Sequence, residues 1–466
     1  MRFINCFLSL VMSGTVCFSA AAEQRLTVYD NTTFYDGYLV DKIPENAPDE
    51  GCNRLYTFLC TKPIPDDVLN SLGESLKMEV NIYPLCDNYD RIGSVNLALI
   101  PKGTESYMVN YDESDPMRIE IGRFITPFMN KNRKPDVVPY VYDMDYIGSI
   151  LRDRDLREKY DFWLELMVFG VPYAAQQQIT GCKGCNDVFQ GSVHFLTDDV
   201  PATASGNNVV VPVTIRTADY RADRGINNYN ESCTDEIGKT VKTYTYEVPE
   251  NCTDGRLVLI MSNHGAGENG EEYRRRNHYV YTDNELSLQF KPGRESCEPF
   301  RKYNTQPNGI YGWTPMSDRE WQSFSNWCPG DVIDNRLIEL GAVESGEHKV
   351  RIEVPEAEFY GKDGYFPVSI YFQGVTEGKL PQTSYIADVC EDDYTSNVIV
   401  TSEGIIVTAP EEIKEASVYT TDGKAVRHGK ISGGSAVIET VGIEGGIYIV
   451  AVGTASRNEA HKICLR

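Results

Sequence analysis

The residues with the densest chemistry lie between Arg256 and Asn284, "RLVLIMSNHGAGENGEEYRRRNHYVYTDN". An apolar run leads into Gly265-x-Gly267-x-x-Gly270, then Glu271 and Glu272, then Arg274, Arg275 and Arg276. The glycine spacing matches a dinucleotide fingerprint. That motif works only when strand, glycine turn and helix follow in order, so that the helix N-terminus holds a pyrophosphate. Here the stretch after the arginines, "HYVYTDNELSLQF", alternates like a strand. The glycines are therefore read as a loop between two strands, and nucleotide binding is rejected. Glu271 and Glu272 keep two readings: a solvated charge run on a hairpin, or an acid aimed into a cleft with the glycines leaving room for a ligand.

Other chemistries find little support. The six histidines form no His-Glu-x-x-His or paired arrangement, so no metal and no cofactor is expected. No Gly-x-Ser-x-Gly elbow supports a serine nucleophile. A formal net charge of -24 repels phosphate backbones and anionic headgroups, which excludes nucleic acid as a partner. The start, "MRFINCFLSLVMSGTVCFSAAAEQ", reads as a secretory leader (residues 1–22) cut before Glu23. No later run is long and apolar enough for a transmembrane helix. The expectation is an exported protein: periplasmic, outer-surface or secreted. Of 13 cysteines, Cys6 and Cys17 lie in the leader, leaving an odd number for an oxidising compartment. Cys182 and Cys185 in "GCKGC" are read as a local loop staple, and a thiol nucleophile at Cys86 or Cys328 is disfavoured because cysteines pair there.

The elements that must position these groups are mostly strands. "SVNLALI", "RIEIGRFI", "SVHFLT", "HKVRIEV" and "FPVSIYFQGV" alternate with period two between Gly, Asn, Asp and Pro punctuation, the signature of antiparallel sandwiches. Only Ile64–Leu76 and Tyr146–Trp163 read as helices. Polar seams at Thr197–Asn208 and Thr376–Asn397 divide the mature chain into domains 23–196, 207–375 and 396–466. The last is a small β-sandwich whose Asp-Gly in "VYTTDGKAV" suits a hairpin turn. With "GGIYIV" and the tail "HKICLR", it resembles the C-terminal sorting or attachment domains of Bacteroidetes secreted proteins.

Three segments together resemble the peptide-N-glycosidase F family: "LCDNYDRIGSVNLALI", "RIEIGRFITPFM" and "SNWCPGDVID". The family pattern has Cys-Asp-x-Trp-Asp-Arg, then Ile-Gly-Arg-Phe-Ile-Thr-Pro. Later come a glycine-rich strand exit, an acid six residues before a His, and Trp-Cys-Pro-Gly. The likeness runs from Leu76 to Gly374. It implies an all-β fold of two eight-stranded sandwiches side by side with the site at their junction. It also implies a monomeric amidase that removes N-linked glycans from glycoproteins and glycopeptides. By position, Asp90 falls on the principal catalytic carboxylate, Glu272 on the second and Glu165 on a third. Arg91, Tyr89 (where the family has Trp), Trp327 and Arg319 fall on substrate-site positions. Cys297 and Cys328 bracket a loop like one the family closes with a disulfide.

Two departures follow from the same comparison. The family's Cys pair around the second acid is replaced by Gly270 and Arg274, so that loop must be held otherwise. Cys86 lacks its close partner, leaving Cys52, Cys60 or a free thiol. Amide hydrolysis needs an activated water and a stabilised tetrahedral intermediate. The carboxylates are assigned accordingly: Asp90 as the ionised base or orienting group, Arg91 keeping it ionised or binding a substrate oxygen, and Glu272 holding water or protonating the leaving nitrogen. The principal alternative is a non-catalytic carbohydrate-binding protein of the same double-sandwich fold. A copper monooxygenase would need clustered His and Met ligands, and a two-carboxylate glycosidase would leave a sugar on the protein.

Overall fold

The alternating segments fold as antiparallel strands. In the computed structural model they sort into two sandwiches within Met1–Ala387, the first of two compact units, and a smaller one within Asp388–Arg466. The structure describes residues 23–466 except 49, 111–114, 203–205, 216–224, 228–239, 266–270, 307–313, 323, 325, 358–364, 382–396, 401–403, 410, 421–423, 444–445, 455–457 and 466. The leader, Gly267 and Gly270 thus lie outside the described residues. No described helix is long and apolar enough to cross a membrane.

The first sandwich packs a four-stranded sheet against a six-stranded one. The smaller sheet runs Gln24–Tyr35, Asp187–Thr197, Leu76–Pro84, Val138–Asp143 in spatial order. The larger runs Val332–Ile333, Met117–Ile125, Ile92–Pro101, Tyr160–Val168, Leu59–Pro63, Asn53–Tyr56. Its edge strand Val332–Ile333 comes from far down the chain, which ties the two sandwiches together. The second sandwich pairs Tyr365–Val375 and Cys252–Met261 at the centre of one sheet, facing a sheet built from Val241–Val248, Gly346–Glu353, His278–Thr282 and Glu285–Phe290.

Helix is scarcer than expected. The Ile64–Leu76 segment is helical only over Asp66–Asn70. The Tyr146–Trp163 segment breaks into Asp145–Leu151 and Arg154–Lys159, because the Asp153 carboxylate accepts from Leu156 N at 2.9 Å and restarts the helix as an N-cap. From Tyr160 the chain is strand, buried on both faces from Phe162 to Val168, and this run gains more from sheet packing than from helix.

The "IEIGRFI" strand builds the junction between the sandwiches. Residues three apart on a strand normally face opposite sides. A register shift opposite Val95 and Asn96 inserts one residue, and Glu120 and Arg123 come to lie together. Arg123 is fully buried and grips Glu120 through two bonds of 2.8 Å. It also donates to Ser262 Oγ at 2.9 Å and Pro367 O at 2.8 Å in the second sandwich, while Ser369 Oγ donates to Glu120. Val210, Val258 and Tyr371 of the second sandwich join the apolar cluster of the first, so the junction is a continuous core crossed by one satisfied ion pair. In the C-terminal unit, two four-stranded sheets close over Ile405, Val407, Val418, Ile438 and Val450.

Candidate active site

Asp87 organises the turn that carries Asp90. It is wholly buried, and one oxygen accepts from Tyr89 N at 2.9 Å. The other accepts from Arg91 Nε at 2.8 Å and Val171 N at 2.6 Å. Thr126, in the "ITP" that ends the junction strand, completes the clamp. Its hydroxyl donates to Tyr89 O at 3.0 Å and accepts from Arg91 N at 2.7 Å, and its own N–H reaches Arg91 O at 2.8 Å. The Arg91 guanidinium lies 4.6 Å from the centre of the Tyr89 ring. Cys86, just before this turn, is tied by a disulfide to Cys182, 96 residues on.

The second acid arrives from the other sandwich. Glu272 accepts from Gly265 N at 3.1 Å, across the base of its own loop. Glu271 is buried and points away, paired with Arg276 at 3.2 Å. Arg275 donates to Pro292 O at 2.7 Å, and Arg274 is exposed. Beside this loop runs the Trp-Cys-Pro-Gly segment. Its Cys328 is bonded to Cys297, and its Gly330 and Asp331 exchange backbone bonds with Ile125. Trp327 Nε1 donates to Asn263 O at 3.0 Å, with Ile125, Ile260 and Ile333 packed around the indole.

Between these parts opens a cleft of about 210 Å³, lined by Tyr89, Asp90, Arg91, Ile92, Ile125, His264, Glu272, Tyr273 and Trp327. Five residues expected from the sequence, Tyr89, Asp90, Arg91, Glu272 and Trp327, therefore meet in one place. Asp90 is half-buried. Burial, and next the charge of Glu272, push its carboxyl well above the usual range, against the pull of Arg91. Burial and then the two acids push the Tyr273 phenol up as well. Arg91 gives its Nε bond to Asp87, and its charge lowers the Asp90 pKa without offsetting the upward shift from burial and Glu272.

Other expected residues are elsewhere. Glu165 is not in the cleft. It sits fully buried in the middle of the six-stranded sheet, where Arg118 grips both oxygens at 2.6 Å and Asn96 and Tyr107 donate at 2.8 Å. Burial would raise its pKa, but Arg118 and the hydrogen bonds outweigh that, and the net shift is downward. Arg319 is exposed on the short helix Asp318–Gln322 and does not line the cleft. Cys182 and Cys185 do not pair: Cys182 reaches Cys86, which sets aside Cys52 and Cys60 as its partners, and Cys185 is a free thiol. Two described groups bring possible metal-ligating atoms together, Glu50–Cys52–Cys60 and Cys86–Cys185–Asp187, and neither lines the cleft.

Sequence reasoning missed Asp87, His264 and Tyr273. Asp87 is the first acid of "CDNYDR", overlooked because the second drew the chemical reading. His264 lies three residues beyond the strand Cys252–Met261, bridges to the backbone of Tyr365, and stacks between Trp327 and Tyr365, with ring centres 5.9 and 5.3 Å away. Tyr273 directly follows Glu272, and its aromatic type beside an acid was the available signal. His278, the marker for Glu272, is a core residue stacked on Phe290, and burial lowers its pKa to about 3.

Comparison with known proteins places the chain in a family. The family described as Peptide-N-glycosidase F, N terminal, matches residues 64–183, and its C-terminal counterpart matches residues 228–373. Together they span more than half of the chain. No curated protein matches at the level required. Among solved structures, PNGF-II superposes with a TM-score of 0.55 at 19% identity, covering 76% of this chain. The chain spans 66% of that protein's length. Recombinant peptide: N-glycanase F gives 0.50 at 18% identity, covering 77% of this chain and 97% of that one. A peptide-N(4)-(N-acetyl-β-D-glucosaminyl) asparagine amidase gives 0.50 at 17%, covering 77% and 98%. At such identities the structures establish the shared double-sandwich fold, while the two matching family halves fall on the two sandwiches that supply Asp90 and Glu272. By those matches, the chain belongs to the peptide-N-glycosidase F family.

Proposed function

We propose that the protein is an amidohydrolase acting as a monomer on N-linked glycoproteins and glycopeptides. It cleaves the amide between the Asn side chain and the first N-acetylglucosamine, leaving Asp. The observation that carries this reading is the meeting of Asp90 and Glu272, one from each sandwich, in an open cleft walled by Tyr89, Tyr273, His264 and Trp327. An open junction suits a bulky glycopeptide, and aromatic walls suit sugar rings.

The electrostatics favour one division of labour. Two neighbouring carboxyls cannot both ionise easily, so one holds a proton. Burial and Glu272 make Asp90 that one. Glu272 takes a proton from water as the oxygen attacks the amide carbon. The tetrahedral intermediate then collapses, the C–N bond breaks, and the Asp90 proton passes to the leaving nitrogen. The products are a glycosylamine and an Asp carboxyl, and the proton on Glu272 returns to Asp90 through solvent.

Incubating a denatured N-glycoprotein with the protein and weighing the former glycosylation sites tests the reading. Conversion of Asn to Asp supports it. A sugar left on Asn points to a glycosidase, and intact glycan with binding points to the carbohydrate-binding alternative. We also infer export, supported by the Cys86–Cys182 and Cys297–Cys328 disulfides, with the C-terminal unit serving sorting or surface attachment. Deleting residues 388–466 and assaying where the truncated protein accumulates tests that role.

A further inference from the structure

The cleft depends on how Glu272 is held, because its loop lacks a crosslink of its own among the described residues. Asn326, the neighbour of Trp327, is almost completely buried. Its backbone N–H donates to Glu272 O at 2.9 Å. Its side-chain nitrogen lies 2.5 Å from Glu271 O, 2.9 Å from Glu272 O and 3.1 Å from Arg274 O. Three carbonyls of one turn thus converge on one residue of a different segment. That segment is itself anchored by the Cys297–Cys328 bond and by its backbone bonds to the first sandwich.

We propose that Asn326 is the positioning residue for Glu272, fixing the Glu271–Arg274 turn so that the Glu272 carboxylate faces Asp90 across the cleft. The chemistry at the site requires a donor. An amide NH2 offers two protons to the three carbonyls, whereas an oxygen in the same place would meet three carbonyl oxygens. The arginine run braces other parts of the loop: Arg276 holds Glu271 and Arg275 reaches Pro292. Asn326 therefore replaces by hydrogen bonding the restraint that a local crosslink would supply. For catalysis, this proposal rests on the amidase reading, and its test is chosen to be separable from it.

Asn326→Asp keeps the shape and removes the donors; Asn326→Ala removes the whole side chain; Asn326→Ser retains one short donor. The readout is the titration of Asp90, followed by NMR on protein carrying ¹³C-labelled aspartate and assigned with Asp90→Asn. The groups that act on Asp90 are Glu272, Arg91 and Asp87, with Tyr273 and His264 also in the cleft. If the turn is released, Glu272 withdraws, and Asp90 titrates lower by about half a unit or more. With glycopeptide substrate, kcat falls roughly 10- to 100-fold in Asn326→Asp while KM changes little, the mark of misplaced reacting groups. Asn326→Ser falls between it and the parent protein. Melting temperature and circular dichroism identify any variant that fails to fold.

A folded Asn326→Asp or Asn326→Ser protein with parental Asp90 titration and parental kcat overturns the proposal. So does loss of kcat explained wholly by a smaller folded fraction. If the parent protein leaves glycopeptides intact yet the Asp90 titration still moves in the variants, the amidase reading fails and the positioning role stands.

Discussion

The cleft and the interior of the first sandwich each enclose a carboxylate, and they treat it in opposite ways. Glu165 is wholly buried but surrounded by donors, with both oxygens on Arg118 and further bonds from Asn96 and Tyr107. Its ionised form is the stable one. Asp90 is half-buried, and the guanidinium beside it gives its Nε bond to Asp87. Facing Glu272, it is pushed towards its protonated form. Burial is common to both sites, so it does not mark a catalytic acid. What separates them is whether the surroundings satisfy the charge or leave it contested by a second acid.

The largest effect that tests this contrast is in the cleft. Asp90→Asn or Glu272→Gln should lower kcat about 10²- to 10⁴-fold, the usual range for losing an acid or base, with the fold kept. Circular dichroism beside a deglycosylation assay reads both. Near-parental turnover in folded Asp90→Asn ends the assignment.

The contrast also predicts opposite stability trends. A raised folded-state pKa on an acid favours the fold below the unfolded pKa and loses that contribution as pH rises through the folded pKa. Ionised Asp90 thus opposes folding at neutral pH. Asp90→Asn should melt higher than the parent at pH 7, and the gap should close towards about pH 4, near the unfolded pKa of Asp. Equal melting curves at both pH values would contradict the raised pKa.

Glu165→Gln should do the reverse. It removes the nearer of the two carboxylates paired with buried Arg118, leaving Asp115 at 3.6 Å, a loss of up to about 3–5 kcal/mol in urea unfolding. Because its folded pKa is depressed, the parent's gain from Glu165 is present above the unfolded Glu pKa, about 4.3, and fades as pH falls through the folded value. The folded fraction should retain parental kcat/KM. A kcat/KM deficit in fully folded protein returns Glu165 to the active site.

Disulfide changes should have a smaller effect. Cys182→Ser should cost roughly 2–4 kcal/mol, because the closed loop is long, and loosen the turn bearing Asp90. Cys185→Ser should leave both stability and activity unchanged. Peptide mapping without reduction should find Cys86–Cys182, and a Cys182–Cys185 peptide would refute the pairing. Arg319→Ala should also have little effect: an exposed side chain away from the cleft should change stability by no more than about 0.5 kcal/mol and turnover negligibly. A large rise in KM there would put Arg319 back at the substrate.

Much of the cleft was legible because its pieces are compact motifs. "CDNYDR" holds a whole turn, in which Asp87 binds Tyr89 N and the Arg91 guanidinium and so sets the place of Asp90. "NWCPG" holds Asn326, the Trp327 indole and a disulfide half within a few positions. What was not legible depends on strand geometry. In "WLELMVF", Glu165 has the right type, and only its register opposite Asn96 and Thr61 places it inside the sheet. The Cys182-x-x-Cys185 spacing suggests a local bond, yet the turn presents Cys182 to a strand end 96 residues away.

The chain order of residue types by itself determined the β-rich class, the family likeness, and the pairing of Asp90 with Glu272 as the acids to watch. Those properties are carried by local patterns: alternation, turn residues and short motifs. Only the tertiary structure decided which acids share a cleft, which proton balance they keep, and which cysteines bond. Those outcomes depend on distances across two sandwiches and on how fully each charge is solvated or paired. A one-residue bulge or register shift, as at Glu120 and Arg123, reverses the face a side chain presents, and local pattern alone does not encode that.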